Sequence, residues 1–174
     1  PAAELFAEKI RFSLEGTNFL LKGPAGGVEV DSPLIGLHNV ENLLAAAGAG
    51  LALGIPLEKM MEGLRDFSGV PGRLERIEEG QPFPLFVDYA HTPDAIKNVT
   101  LSLKELEPSR LITVFGCGGD RDKAKRPLMG YEAALQSDCL VVTSDNPRNE
   151  DPGKIIDEIV GGIKRAGLPY SVEA

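Results

Sequence analysis

From Leu85 onward the sequence repeats one grammar three times: a short apolar run, a loop rich in glycine, proline or charge, then a stretch with helical spacing. Strand Leu85–Asp88 leads through Tyr89–Thr92 to a helix over Pro93–Leu106. Strand Leu111–Phe115 leads through Gly116–Arg126 to a helix over Pro127–Leu135, and strand Cys139–Thr143 leads through Ser144–Glu150 to a helix over Pro152–Ala166. Thr92 and Asp151 are natural N-caps, each followed by a proline at the first helical position. A last strand is expected from Tyr170. Consecutive strand–helix units require right-handed crossovers, so the expected fold class is α/β, with a Rossmann-like, mostly parallel sheet and flanking helices. Open sheets of this kind bind ligands beyond the carboxyl ends of their strands. That edge receives the segments 88–92, 116–126 and 144–148, the most chemically loaded in the chain.

The first part of the chain reads differently. Glycines at 16, 23, 26 and 27 separate short antiparallel strands near Ile10–Leu14, Asn18–Lys22 and Val28–Val30. A helix follows over Val40–Leu53, with Asn39 as its N-cap and Gly54 beyond its end. Pro56 opens a second helix over Leu57–Phe67. The breaker cluster Ser68-Gly69-Val70-Pro71-Gly72 sets the expected domain boundary, dividing the chain into 1–70 and 71–174.

Composition narrows the function classes. A net charge of -8 argues against general binding to nucleic acid or anionic membranes. Cys117 and Cys139 form no CxxC pair, which fits a reducing compartment and offers neither a metal nor a disulfide framework. No apolar run approaches the roughly 20 residues of a membrane span. Pro1-Ala2-Ala3-Glu4 has no signal-peptide character, and a start other than Met suggests an excised piece.

Four segments can carry chemistry. Gly116–Arg126 combines three glycines with Arg121, Lys123, Lys125 and Arg126, in a chain that is acidic elsewhere. It reads either as an anion site or as a solvated basic loop. It lacks the third glycine of a dinucleotide fingerprint, and no G-x-x-x-x-G-K-S/T phosphate loop occurs in the sequence. Asp145-Asn146-Pro147-Arg148 reads first as a turn, although Arg148 on such a turn can clamp a carboxylate with two hydrogen bonds. In Asp88–Asp94, Asp88 at a strand end can take ribose hydroxyls and His91 can contact phosphate or move a proton. The plainer reading there is helix-start grammar with a surface histidine. Asn42, one turn into the first helix, either meets an adenine edge or faces water. Cys117, Cys139 and Met60-Met61 read as packing residues.

These segments occur together in a known order. Gly36–Asn42, Gly72-Arg73-Leu74-Glu75, Asp88–Asp94, Gly116–Pro127 and Asp145–Arg148 resemble the Mur ligases in sequence and spacing, over nearly the whole chain. The Asp-Asn-Pro-Arg form is similar to that of the members that add meso-diaminopimelate. The resemblance implies the end of a central ATPase domain followed by most of a C-terminal Rossmann-like domain. It implies a cytoplasmic, monomeric, ATP- and Mg²⁺-dependent ligase of peptidoglycan biosynthesis. Such a ligase joins meso-diaminopimelate to UDP-N-acetylmuramoyl-L-alanyl-D-glutamate through an acyl phosphate.

Carried onto this chain, the resemblance makes Asn42 the adenine contact, Arg73 a phosphate contact and Asp88 the ribose acid, with His91 on the nucleotide side. Arg121, Asp145, Asn146 and Arg148 become contacts to the incoming amino acid. The family's phosphate loop, Mg²⁺ ligands, modified lysine and Gly-Lys-Gly-His-Glu-like segment have no counterpart in the sequence. Neither a catalytic residue nor a metal ligand is therefore expected in this piece, and it is expected to be inactive alone. His38 stands where the family pattern has an aromatic residue. A non-catalytic α/β binding module, a lysine-adding ligase and a folate–glutamate ligase are the alternatives.

Overall fold

The computed structural model describes residues 5–23, 26–167 and 171–172, and by its internal contacts the chain divides into two units, 1–89 and 90–174. The first unit begins with an antiparallel meander of β1 (Phe6–Ser13), β2 (Gly16–Gly23) and β3 (Gly26–Ser32). β1 starts earlier than the glycine pattern suggested because an irregularity between Glu8 and Arg11 carries the pairing past a break in alternation. Helices α1 (Leu37–Ala52) and α2 (Leu57–Asp66) follow. β2 alternates, so Phe19 and Leu21 face inward. They join Val30, Val40, Leu43, Ala47, Met60, Met61 and Leu64 in one core. Thr17, buried beside them, donates its hydroxyl to the Leu34 carbonyl at 2.6 Å.

Asn39 does not cap α1. Gly36 holds the cap position with φ 98°, a conformation that glycine reaches without penalty, and the helix is under way by residue 37. Asn39 lies inside the first turn, where its buried amide donates to the Ile35 carbonyl at 2.9 Å. Gly54, with φ 71°, ends the helix as expected.

A two-stranded antiparallel pair completes this unit: β4 (Glu75–Ile77) and β5 (Leu85–Val87). The expectation for Leu85–Asp88 is corrected here: β5 pairs with β4, with Ile77 opposite Leu85, and among the described residues it has no parallel partner. A strand's apolar run fixes its existence but not its partner, and the Gly80–Pro84 turn lets it pair locally.

The second unit is built on the parallel sheet β6 (Ile112–Phe115), β7 (Cys139–Val142) and β8 (Ser171–Val172), in that order. Its helices are α3 (Pro93–Lys104), α4 (Lys125–Gln136) and α5 (Pro152–Ala166). Tyr170, where the last strand was expected to start, lies outside the described residues. Thr92 and Asp151 cap α3 and α5 by accepting from Ala95 N and Lys154 N. α4 starts two residues before Pro127. The proline sits in the first turn, where its missing N–H would have had no helical partner.

Ile155, Ile156, Ile159, Val160 and Ile163 form the inner stripe of α5 and pack with Met129, Ala133, Leu140 and Val142. At about 1.5–3 kcal/mol for each fully buried aliphatic side chain, this stripe is a large contribution to the unit's stability. α4 and α5 approach closely at Gly130 and Gly162: a methyl group on either would run into the backbone carbonyl of Ile159 or Pro127. Among the described residues, no helix is long and apolar enough to cross a membrane.

Candidate functional site

Two clusters emerge, one in each unit. In the first unit the Gly72–Glu75 turn is tied to the end of β5. The Leu74 N–H donates to Asp88 Oδ2 at 2.7 Å, Tyr89 N to the Gly72 carbonyl at 2.7 Å, and Gly72 N to Glu75 Oε2 at 2.7 Å. Arg73 projects from this turn with its guanidinium 5.3 Å from the centre of the Tyr89 ring. Arg73 and Asp88 are thus brought together. Asp88 is half-buried and spends one oxygen on the turn, while Arg73 and Tyr89 are exposed. Asn42 stands exposed on α1, its Nδ2 donating to Asn39 Oδ1 at 3.4 Å, while its side-chain oxygen accepts no hydrogen bond among the described residues.

In the second unit the loops after β6 and β7 are knitted together. Gly119 N donates to the Asn146 carbonyl at 2.8 Å, and Asn149 Nδ2 to Asp120 Oδ2 at 2.9 Å. Arg148 Nη1 donates to the Gly119 carbonyl. A Cβ at Gly119 would collide with the Pro147 carbonyl, so only glycine permits this contact. Asp120 and Arg148 hold left-handed backbone angles, φ 51° and 50°, which cost roughly 1 kcal/mol each in a non-glycine residue. The cross-loop bonds hold both in place. Arg121 and Arg148 therefore emerge from adjoining loops, both exposed, with Asp145 and Asn146 exposed on the same second loop. Arg121 makes no hydrogen bond or ion pair among the described residues. His91, exposed at the head of α3, is joined to the first loop through its carbonyl, which accepts from Lys125 Nζ at 2.8 Å.

The basic loop is neither uniformly solvated nor uniformly open to anions. Arg126 is 0% exposed. Its Nη2 donates to Glu150 Oε1 at 2.8 Å and to the Gly118 carbonyl at 3.2 Å, and its Nη1 donates to Glu158 Oε2 at 2.8 Å and Glu150 Oε2 at 3.1 Å. Lys123 also pairs with Glu150, at 2.8 Å. Glu150 further accepts the Asp120 N–H at 2.6 Å. The Arg126 guanidinium, with Lys123 and that N–H, holds the Glu150 carboxyl far below the usual carboxylate range. The sequence reading missed this network. Its members lie 24 and 32 residues apart, and no periodicity marks a buried arginine. The single available sign was a cation placed directly before the proline of a helix's first turn. Cys117, buried against Met129, has its thiol pushed up to about 11 by burial, so it is no nucleophile at neutral pH. Among the described residues, no three metal-ligating side chains come together.

Comparison with known proteins adds to this geometry. Residues 72–173 match the model of the Mur ligase glutamate ligase domain, and residues 1–50 match that of the Mur ligase middle domain. The chain belongs to the Mur ligase family. It is 49% identical over 173 residues to the UDP-N-acetylmuramoyl-L-alanyl-D-glutamate–2,6-diaminopimelate ligase of Solibacter usitatus, covering 99% of this chain and 35% of that protein. With the ligase of the same name from Gloeobacter violaceus the identity is 50% over 174 residues, with the same coverage. A solved ligase of that name superposes with a TM-score of 0.66 at 40% identity, over 99% of this chain and 35% of that one. The Mur ligase acting on UDP-N-acetylmuramate and alanine from Thermotoga maritima superposes at 0.76 with 25% identity, over 99% of this chain and 37% of that one. The chain spans about a third of the length of these relatives.

Proposed function

We propose that this chain forms part of an ATP-dependent ligase that joins meso-diaminopimelate to UDP-N-acetylmuramoyl-L-alanyl-D-glutamate in the cytoplasm. In this reading residues 1–70 close the central domain and residues 71–174 make up most of the terminal one. The single observation that carries it is the docked pair of loops that presents Arg121 and Arg148. Its Asp145–Arg148 segment has the form of the diaminopimelate-adding members, and relatives of that name are about half identical along nearly the whole chain.

Arg148 acts as the reader of the distant carboxylate. One of its donors is held by the Gly119 carbonyl, which orients the guanidinium plane and leaves further N–H groups for a ligand. Arg121 adds a second cation, without a partner among the described residues. Asn146 offers an amide, and Asp145 a carboxylate for the ammonium group of the amino acid. Lysine has no carboxylate at that end, so binding it would desolvate a cation with nothing to pair with.

The first cluster fits a nucleotide. Asp88 keeps one carboxylate oxygen for a ribose hydroxyl, Arg73 keeps its charge at the surface for phosphate, and Asn42 keeps an acceptor for an exocyclic amine. The family pattern assigns His91 to nucleotide binding as well. ATP, when bound, supplies the phosphoryl group that activates the glutamate carboxyl for attack by the incoming amine.

The test is steady-state kinetics of the complete enzyme with Arg148→Ala. The KM for diaminopimelate should rise roughly a hundredfold, the loss of a charge-assisted pair of hydrogen bonds, with the KM for ATP little changed. Unchanged diaminopimelate kinetics would remove the carboxylate-clamp assignment.

A further inference from the structure

The carboxylate-reading arginines sit on loops whose mutual position is set by a group that neither strand nor helix provides. Arg126 opens α4 with no exposed surface, and its guanidinium spans three segments: Gly118 in the first loop, Glu150 at the end of the second, and Glu158 on α5. Glu150 closes the link in the other direction. Each of its oxygens accepts from Arg126, Oε1 also takes the Asp120 N–H, and Oε2 also takes Lys123 Nζ. Asp120 is the neighbour of Arg121 in the chain, and Glu150 lies two residues after Arg148. One ion pair therefore fixes the stem of both arginine-bearing loops from beneath, without itself standing among the exposed groups. The Asp120–Asn149 bond and the Gly119–Asn146 bond complete the join on the outer side.

We infer that Arg126 and Glu150 are positioning residues for amino-acid selection, acting through the two loops to hold Arg121 and Arg148 at the separation a carboxylate requires. This rests on the proposed reading of those two arginines as carboxylate contacts. The geometry divides Arg126's two acidic partners by role. Glu150 touches both loops. Glu158 stands on α5 and touches only the guanidinium, at a single donor. Removing the charge of either leaves the buried cation one partner short. Only the loss at Glu150 also weakens the hold on Asp120, because the same carboxylate serves Arg126, Lys123 and the Asp120 N–H.

The experiment compares Glu150→Gln, Glu158→Gln and Arg148→Ala in the complete enzyme. It reads KM for diaminopimelate, KM for ATP, kcat and the thermal midpoint of each. The expected result is that Glu150→Gln raises the KM for diaminopimelate roughly tenfold, as loss of an orienting partner does, with the KM for ATP within about twofold of the parent. Glu158→Gln lowers the thermal midpoint but leaves the diaminopimelate KM near that of the parent. Arg126→Lys keeps the charge but cannot bridge both loops, so it shows the Glu150→Gln pattern, and it substitutes for that variant if Glu150→Gln does not fold. Equal KM effects from Glu150→Gln and Glu158→Gln would mean general destabilisation and overturn the inference. An unaltered KM in Glu150→Gln, alongside a raised one in Arg148→Ala, would overturn it while sparing the proposed function. An unaltered KM in Arg148→Ala would reject the function reading, and the inference with it.

Discussion

Arg126 and Arg148 show how differently one side chain behaves according to what surrounds it. Arg126, without solvent, is matched by two carboxylates and a carbonyl, and its charge is structural. Arg148, at the surface, is tethered at one nitrogen and keeps donors for a ligand. The depressed Glu150 carboxyl gives this pairing a sign with pH. A group whose folded pKa lies below its unfolded value stabilises the fold above the unfolded pKa, and that contribution fades as pH falls through the folded one. The loop junction is therefore expected to persist at pH 4, where ordinary carboxylates are already titrating. Hydrogen exchange at the Asp120 amide checks this: protection should be alike at pH 7 and pH 4 after correction for intrinsic rates. Cys117 has the opposite sign. Its thiol stays protonated to about 11, so in the folded protein at pH 8 it should resist a maleimide that labels it after unfolding in urea, as read by peptide mass spectrometry. Of the candidate residues, Arg73, Asp88, Arg121, Asn146 and Arg148 were legible in the sequence because each holds a recognisable motif position; their roles are the ones proposed above. The sequence concealed Glu150 and Glu158, because pairing across 24 and 32 residues leaves no local pattern.

Among the elements, α5 was the most legible, for its Asp151 cap, Pro152 start, 3.6-residue apolar stripe and Gly167 stop all agree. The start of α4 was placed two residues late because proline is tolerated anywhere in a first turn, not solely at its opening position. The cap of α1 was misread because a glycine with positive φ did the work assigned to Asn39. β5 was found as a strand, but its partner was not, since pairing depends on the turn that precedes it. Helix packing supplies the prediction at this scale. Gly162→Ala places a methyl group against the Pro127 carbonyl, where backbone cannot yield cheaply. It should cost about 1–3 kcal/mol of unfolding free energy in urea titration. Gly161→Ala, one residue earlier and facing open space, should be neutral or slightly stabilising. Equal effects at the two positions would contradict the close crossing of α4 and α5.

At the scale of the molecule, the chain carries two compact units and one cluster of exposed functional groups on each. The α/β class and the parallel β6-β7-β8 sheet were legible because strand, loop and helix recur with clear punctuation. The loop docking was not, since it depends on Gly119, Arg126 and Glu150 meeting in space. The sequence contains no triphosphate-cradling glycine loop, so the 174-residue chain should show no magnesium-dependent ATP hydrolysis above a no-protein control, even at high protein concentration. The central claim is that Arg121 and Arg148 read a distal carboxylate on the amino acid. The most direct measurement is kcat/KM for meso-diaminopimelate and for L-lysine with the complete enzyme, side by side. The account predicts a preference for diaminopimelate of roughly 10³-fold. Equal use of the two, or a preference for lysine, would contradict it.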